Sequence, residues 1–322
     1  MSKTAHPEII FGGASIGSAY TTPEAVTGLL HSLKTLGIRR IDTAARYPPT
    51  NPGASEKLLG EAGAVRDGFT IDSKILSSGD GKGTLTPLAI DKSVYESNSR
   101  LKMHETTGAH LNVLYCHMPD PQTPLEEQAD GLHAMHKMGV YEQLGVSNFS
   151  AEMLTEFIAI CERKGYTPPT VYQGQYNLMC RGVEDTLFPT LRKHGVTFNA
   201  FSPLAGGFLT GRLSANETQG TRFADGNVMG QSYKAQYDKK EMHDAIDRLN
   251  TIIDARGISK IEASLRWIFY HSALGEQDGV ILGASKPEQI VGNVEAVQKG
   301  PLSDEVVSAM DAIWHSVSGK AE

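Results

Sequence analysis

The amino-acid sequence predicts an α/β fold, a (β/α)8 barrel, and three observations carry that prediction. Short β-like runs alternate with longer helical ones along nearly the whole chain. Several β-like runs are almost wholly apolar, as strands covered on both faces must be. The glycine-rich turn that opens a doubly wound sheet is missing after the first clear run, where "IDTAARYPP" stands. The 322 residues suit a single barrel domain spanning 1–322, and no shift in composition marks a boundary.

Taken in order, "FGGASIG" (11–17) reads as an N-terminal turn or hairpin that caps the barrel. The β-like runs follow at 40–44, 69–74, 109–117, 142–147, 170–176, 196–202 and 279–284. The eighth strand is assigned to 294–297, a short apolar run. Between the runs the helix starts are well marked. "TTPEAV", "TPLAID" and "TPLEEQ" each set a threonine, which caps free amides, before a proline, which suits the first helical position. "SAEMLTEFIAI" and "SKIEASLRWIFY" open on a capping serine. Two stretches break the rhythm. Residues 210–240 read as a long, polar, glycine-rich loop of the kind that usually carries function, and the tail "VSGKAE" is expected to fray.

Composition removes several classes of function. The net charge is −7, with lysines and arginines scattered, which argues against nucleic acid as a partner. No window is apolar enough to span a membrane, and the N-terminus lacks the apolar stretch of a secretion signal. The three cysteines, Cys116, Cys161 and Cys180, are far apart and odd in number, which reads as reduced thiols in a cytoplasmic protein. There is no metal-site spacing: "HAMH" puts His133 and His136 on one helix with no carboxylate in reach, and reads as a packed or solvated face.

The chemistry gathers at strand ends, where a barrel keeps its active site. The first three runs end in Asp42, Lys74 and His117, and Tyr47 follows in the loop after the first. Each has an ordinary reading alone: a capping acid, a packed aromatic beside two prolines, a solvated lysine, a histidine at a turn. Together they suggest one device. Lys74 lowers the pKa of the Tyr47 phenol, Asp42 holds Lys74 charged, and His117 orients a substrate oxygen. The result is a general acid aimed at an oxygen that gains negative charge. Three further stretches point to a nucleotide. "SPLAGGFLTGR" (202–212) would bring backbone amides to a pyrophosphate. "GASKPEQIVGN" (283–293) opens a helix whose free amides attract anions, or which Ser285 and Glu288 cap for themselves. "SNFS" (147–150) and Gln173 could hold a carboxamide.

The combination of "DTAARY", the strand-ending Lys74, "YCHMPD", "GVSNF", "YQGQYN" and "SPLAGG" resembles the aldo-keto reductases, over about residues 8 to 300. The finer spelling is similar to the aflatoxin aldehyde reductase-like subfamily. The resemblance implies NADPH-dependent reduction of aldehydes, and of some ketones, to alcohols, with Tyr47 as proton donor and Asp42, Lys74 and His117 completing the tetrad. It implies that Asp42, Ser147, Asn148 and Gln173 meet the nicotinamide end of NADPH/NADP+. Ser202, Pro203, Leu204, Gly206, Gly207, Leu209, Gly211 and Arg212 would wrap the pyrophosphate, with Arg222 from the long loop. Gly283, Ser285, Gln289 and Asn293 would meet the adenosine. His117, Tyr233 and Gln236 would face the substrate, and the relatives often pair, implying a homodimer. Two departures bear on specificity. Gln289 stands where many members carry a basic residue for the 2′-phosphate, so Lys286, Arg212 or Arg222 must serve. Gln236 stands where the subfamily has an arginine for a substrate carboxylate, which favours neutral, aromatic or dialdehyde substrates. A channel β-subunit-like regulator that binds NADPH with little turnover is the alternative.

Overall fold

The computed structural model describes residues 6–77 and 80–320, apart from the side chains at 228 and 229. Its strands are β1 (Glu8–Gly12), β2 (Arg40–Asp42), β3 (Thr70–Lys74), β4 (Leu111–Cys116), β5 (Tyr141–Ser147), β6 (Val171–Gln175), β7 (Thr197–Phe201) and β8 (Gly279–Gly283). They pair in parallel, in sequence order, into a closed barrel. The helices are α1 (Pro23–Thr35), α2 (Ala54–Glu61), α3 (Pro87–Arg100), α4 (Leu125–Lys137), α5 (Ala151–Lys164), α6 (Val183–Thr186), α7 (Phe188–Lys193), α8 (Val228–Tyr237), α9 (Lys240–Ile253), α10 (Lys260–Tyr270), α11 (Pro287–Gln298) and α12 (Asp304–Val317). The (β/α)8 architecture expected from the sequence is therefore present.

One strand lies elsewhere than expected. The barrel is closed by β1, whose Phe11 stands opposite Ile41 on one side and Leu282 on the other. Residues 294–297 instead lie within α11, where Ile290, Val294 and Val297 are buried together. Their spacing of four and three residues is that of a helix face, not a strand. "FGGASIG" accordingly begins as a barrel strand and continues as the short 3-10 turn Gly13–Ser15 above it.

The helix starts are mostly capped as their sequences suggest. Thr22, Thr86, Ser150 and Ser259 each accept a backbone N–H from the first turn. Thr123 does not, because its hydroxyl donates to the Asp120 carboxylate at 2.6 Å. At α11 the expected Ser285–Glu288 box is replaced. Gln289 Oε1 accepts from Ser285 N at 2.8 Å and Lys286 N at 3.3 Å. Part of the presumed loop at 210–240 is the helix α8, anchored by Tyr237, which is fully buried and stacks on Phe208 at 5.3 Å.

The main core lies between the strands and the helices. The barrel interior is filled separately by Val113, Tyr115 and Val171. Gly145 makes room for this, since a Cβ there would stand 2.3 Å from the Tyr115 ring. Asn199 donates to the Tyr115 hydroxyl at 2.8 Å across the interior. Towards the strand starts a polar girdle links neighbouring strands. Arg40 bonds Glu8 and Asp72, each at 2.8 Å, Asn112 bonds Asp72 at 2.6 Å, and Gln143 bonds Asn112 at 3.4 Å. Burial pushes the Asp72 carboxyl up to about 6 against the pull of Arg40. Among the described residues no helix is long and apolar enough to cross a membrane.

Candidate active site

Strand alternation decides which side chains reach the mouth. Asp42 ends β2 and Lys74 ends β3, both pointing into the barrel and both buried. They meet there. Lys74 Nζ donates to Asp42 Oδ1 and Oδ2, each at 2.7 Å, and to the Thr43 carbonyl at 2.8 Å. The Tyr47 ring lies over this pair, its centroid 4.9 Å from Lys74 Nζ. Unlike the pair, Tyr47 is only partly buried. His117, one residue past β4, meets the Tyr47 ring edge-on at 5.7 Å. Its Nδ1 is buried with no hydrogen-bond partner among the described residues. The four side chains expected at one mouth are thus brought together.

The electrostatics depart from expectation at one point. The sequence reading has Lys74 lowering the Tyr47 pKa. Lys74 does pull in that direction, but burial outweighs it, Asp42 opposes it, and the phenol lies above its ordinary value. Tyr47 is therefore a protonated phenol at neutral pH. Burial also works against the charge on Lys74, yet Asp42 overcomes it and the ammonium is held above its usual pKa. His117 moves the other way. Burial, then the charges of Lys74 and Arg46, bring it down to about 3, so its ring is neutral.

Next to this group, on the far side of Asp42, lies a polar cluster. Gln173 donates to Asp42 Oδ1 at 2.8 Å and stands in register with Ser147. Asn148, in left-handed conformation at φ 63°, donates to Ser147 Oγ at 3.1 Å and to the His117 carbonyl at 3.0 Å. A segment of left-handed turns follows β7. Gly206 and Gly207 have φ of 66° and 106°, and a Cβ on Gly206 would press within 2.5 Å of the Tyr233 ring.

Comparisons with known proteins show the family of the chain. The model of the aldo/keto reductase family matches residues 8–315. The chain belongs to that family. It is 34% identical to human "Aldo-keto reductase family 7 member A3", over 98% of this chain and 96% of that one. It is 33% identical to human "Aflatoxin B1 aldehyde reductase member 2", over 99% and 90%. It is 32% identical to "Oxidoreductase sirO" of Leptosphaeria maculans, over 100% and 98%. As an aldo-keto reductase it is an oxidoreductase acting on carbonyl groups, in a family that generally uses a nicotinamide dinucleotide.

The remaining residues that the sequence suggests for this aldo-keto reductase fall into place unevenly. Ser202, at φ 55°, shares a 2.6 Å hydrogen bond with the Tyr233 hydroxyl. Pro203 and Leu209 are buried, Leu209 wholly so. Leu204 is half-buried and its carbonyl accepts from Gly207 N at 2.8 Å, while Gly211 turns at φ 80°. Arg212 is exposed and donates to the Gln219 carbonyl, and Arg222 stacks on Tyr233 at 5.2 Å. Gly283 and Ser285 are exposed at the end of β8, and Asn293 is buried in α11. The two residues expected to face the substrate also bond within the protein. Tyr233 packs on the 202–211 segment while lying near enough to Tyr47 to act on its phenol, and Gln236 Oε1 accepts from Gln175 at 3.0 Å. His133 stacks on Tyr166 at 3.8 Å, a packed face as its sequence suggested. The sequence reading did not single out Arg46, whose charge bears on His117. Its place beside Tyr47 was the available signal.

Proposed function

We propose that the chain is an NADPH-dependent reductase of aldehydes, in which Tyr47 protonates the carbonyl oxygen. The observation that carries this is the buried Asp42–Lys74 pair beneath the Tyr47 ring, with a neutral His117 across from it.

The residues fit a nicotinamide dinucleotide. Ser147, Asn148 and Gln173 converge on one side of Asp42 and supply the amide and hydroxyl groups a carboxamide needs. The left-handed glycines of the 202–211 segment let the backbone turn where no side chain would fit, since Tyr233 already packs against Gly206 and Lys260 against Gly211, and such a turn suits backbone contact with a pyrophosphate. Arg212, Arg222 and Lys260 lie beside that segment, and with Lys286 at the start of α11 they favour the 2′-phosphorylated form. When bound, the nucleotide supplies the hydride. The chain's own residues do the rest. Tyr47 holds its proton at neutral pH, and Lys74 keeps a positive charge beneath the phenolate left when that proton is given. Asp42 keeps Lys74 charged and in place. His117, with no positive charge of its own, offers a neutral hydrogen bond that positions the carbonyl oxygen without competing for the proton. Protein burial excludes water from the pair, which strengthens their interaction.

The test is Tyr47→Phe, assayed with NADPH and 4-nitrobenzaldehyde. Turnover should fall by roughly 10²-fold or more, the usual scale for a general acid, with NADPH affinity near that of the parent. Parallel loss of both would mean that Tyr47 only supports the structure.

A further inference from the structure

The chain between β7 and α9 carries a relay of three side chains that the proton-transfer machinery does not use. The Ser214 hydroxyl lies 2.8 Å from His243 Nδ1, and His243 Nε2 lies 2.9 Å from Asp238 Oδ1. A carboxylate can only accept, so Nε2 carries the ring hydrogen. Nδ1 is then an acceptor, and the Ser214 hydroxyl donates to it. Each member belongs to a different piece of structure. Ser214 follows Arg212 by two residues, in the turn that continues the left-handed 202–211 segment. His243 sits on α9, which is fixed by its buried face of Met242, Ala245, Ile246, Leu249 and Ile253. Asp238 closes α8. The turn is coherent in itself, since Arg212 Nη2 donates to the Gln219 carbonyl at 3.1 Å and the Arg212 carbonyl accepts from Glu217 N at 2.8 Å. Among the described residues, however, the Ser214–His243 contact is the one hydrogen bond between residues 212–217 and any strand or α-helix. The His243 ring also meets Phe208 of the same segment edge-on at 5.6 Å.

We propose that His243 is a positioning residue for the nucleotide: with Asp238 setting its tautomer, it holds the turn that bears Arg212 in one form before NADPH arrives. This rests on the reading of the 202–211 segment as the nucleotide's seat. A turn fixed in advance spares the ligand the cost of ordering it. The relay therefore acts on affinity and leaves proton transfer at Tyr47 alone.

The experiment measures NADPH affinity by quenching of protein fluorescence, and single-turnover reduction of 4-nitrobenzaldehyde at saturating NADPH, in the parent, His243→Phe, Ser214→Ala and the double variant. Phenylalanine keeps a ring against Phe208 and removes both hydrogen bonds. Each single variant should weaken NADPH binding about fivefold, the usual scale of one hydrogen bond, with the single-turnover rate unchanged. The double variant should bind no more weakly than His243→Phe, because the two changes remove one shared bond. His243→Asn, which still offers Ser214 an acceptor, should bind more tightly than His243→Phe. Losses that multiply in the double variant would overturn the proposal, and so would a single-turnover rate that falls along with affinity. Ser214→Ala decides the matter if His243→Phe does not fold. A parent that neither binds NADPH nor reduces the aldehyde would overturn both this proposal and the reductase reading. An active parent whose affinity the single variants share would overturn this proposal alone.

Discussion

Both oxygens of the Asp42 carboxylate lie 2.7 Å from the Lys74 ammonium, in a place closed to solvent. Removing one partner strands the other charge. Lys74→Met should therefore cost about 3–5 kcal/mol of stability, read from urea denaturation. Asp42→Asn combined with Lys74→Met should cost clearly less than Lys74→Met alone. If the double variant is the less stable one, the pair is not the source of the penalty.

The raised pKa of Tyr47 sets the direction of catalysis by pH. The protonated phenol serves reduction, and the phenolate serves alcohol oxidation. The reduction rate should stay flat through neutral pH and decline only above the ordinary phenol value of about 10. Oxidation should climb with pH over the same range. A reduction rate that halves near pH 7 would place the controlling group elsewhere.

His117 gives a prediction for stability in acid. Its folded pKa of about 3 lies below the ordinary value of 6.5. Between these values the unfolded chain takes up a proton that the folded chain refuses, so stability is present above pH 6.5 and is lost as pH falls towards 3. His117→Gln should flatten this loss, measured as the change in melting temperature between pH 7 and pH 4.5. Proton NMR should show the His117 ring unprotonated at pH 5.

Gly206 should control nucleotide affinity. Alanine there must adopt φ 66°, at a cost of about 1–2 kcal/mol, and displace the Tyr233 ring as well. Gly206→Ala should weaken NADPH binding, measured by quenching of protein fluorescence, more than Gly195→Ala does. Gly195 also has positive φ, but it has open space around it.

The tetrad was legible in the sequence because Asp42, Lys74 and His117 each close a β-like run and Tyr47 follows in the next loop, and strand ends are where a barrel keeps its chemistry. Asp42, Lys74 and His117 stand out against Ile41, Ile71 and Cys116. The first strand was obscured because β1 opens on an exposed glutamate and runs into glycines. Residues 294–297 misled because four residues cannot separate period two from a helix face. The net direction of the Tyr47 pKa was not readable either, since it depends on burial in three dimensions and on an acid that stands beside the lysine. Tyr233 and Gln236 lay in a stretch where α8 has weak amphipathicity, and their partners, Ser202 and Gln175, are distant in sequence. Arg46 lay in plain view within "DTAARY", but its pull on the His117 ring depends on their approach in three dimensions.

The girdle at the strand starts and the tyrosine packed above it have a bearing on resupply. Arg40, Asp72, Asn112 and Gln143 interlock below, and Tyr115 with Asn199 crosses the interior. The vessel is stoppered at its foot. If Tyr47 spends a proton in every cycle, the replacement has to arrive from bulk solvent through the same doorway by which the alcohol departs, so recharging waits on product exit.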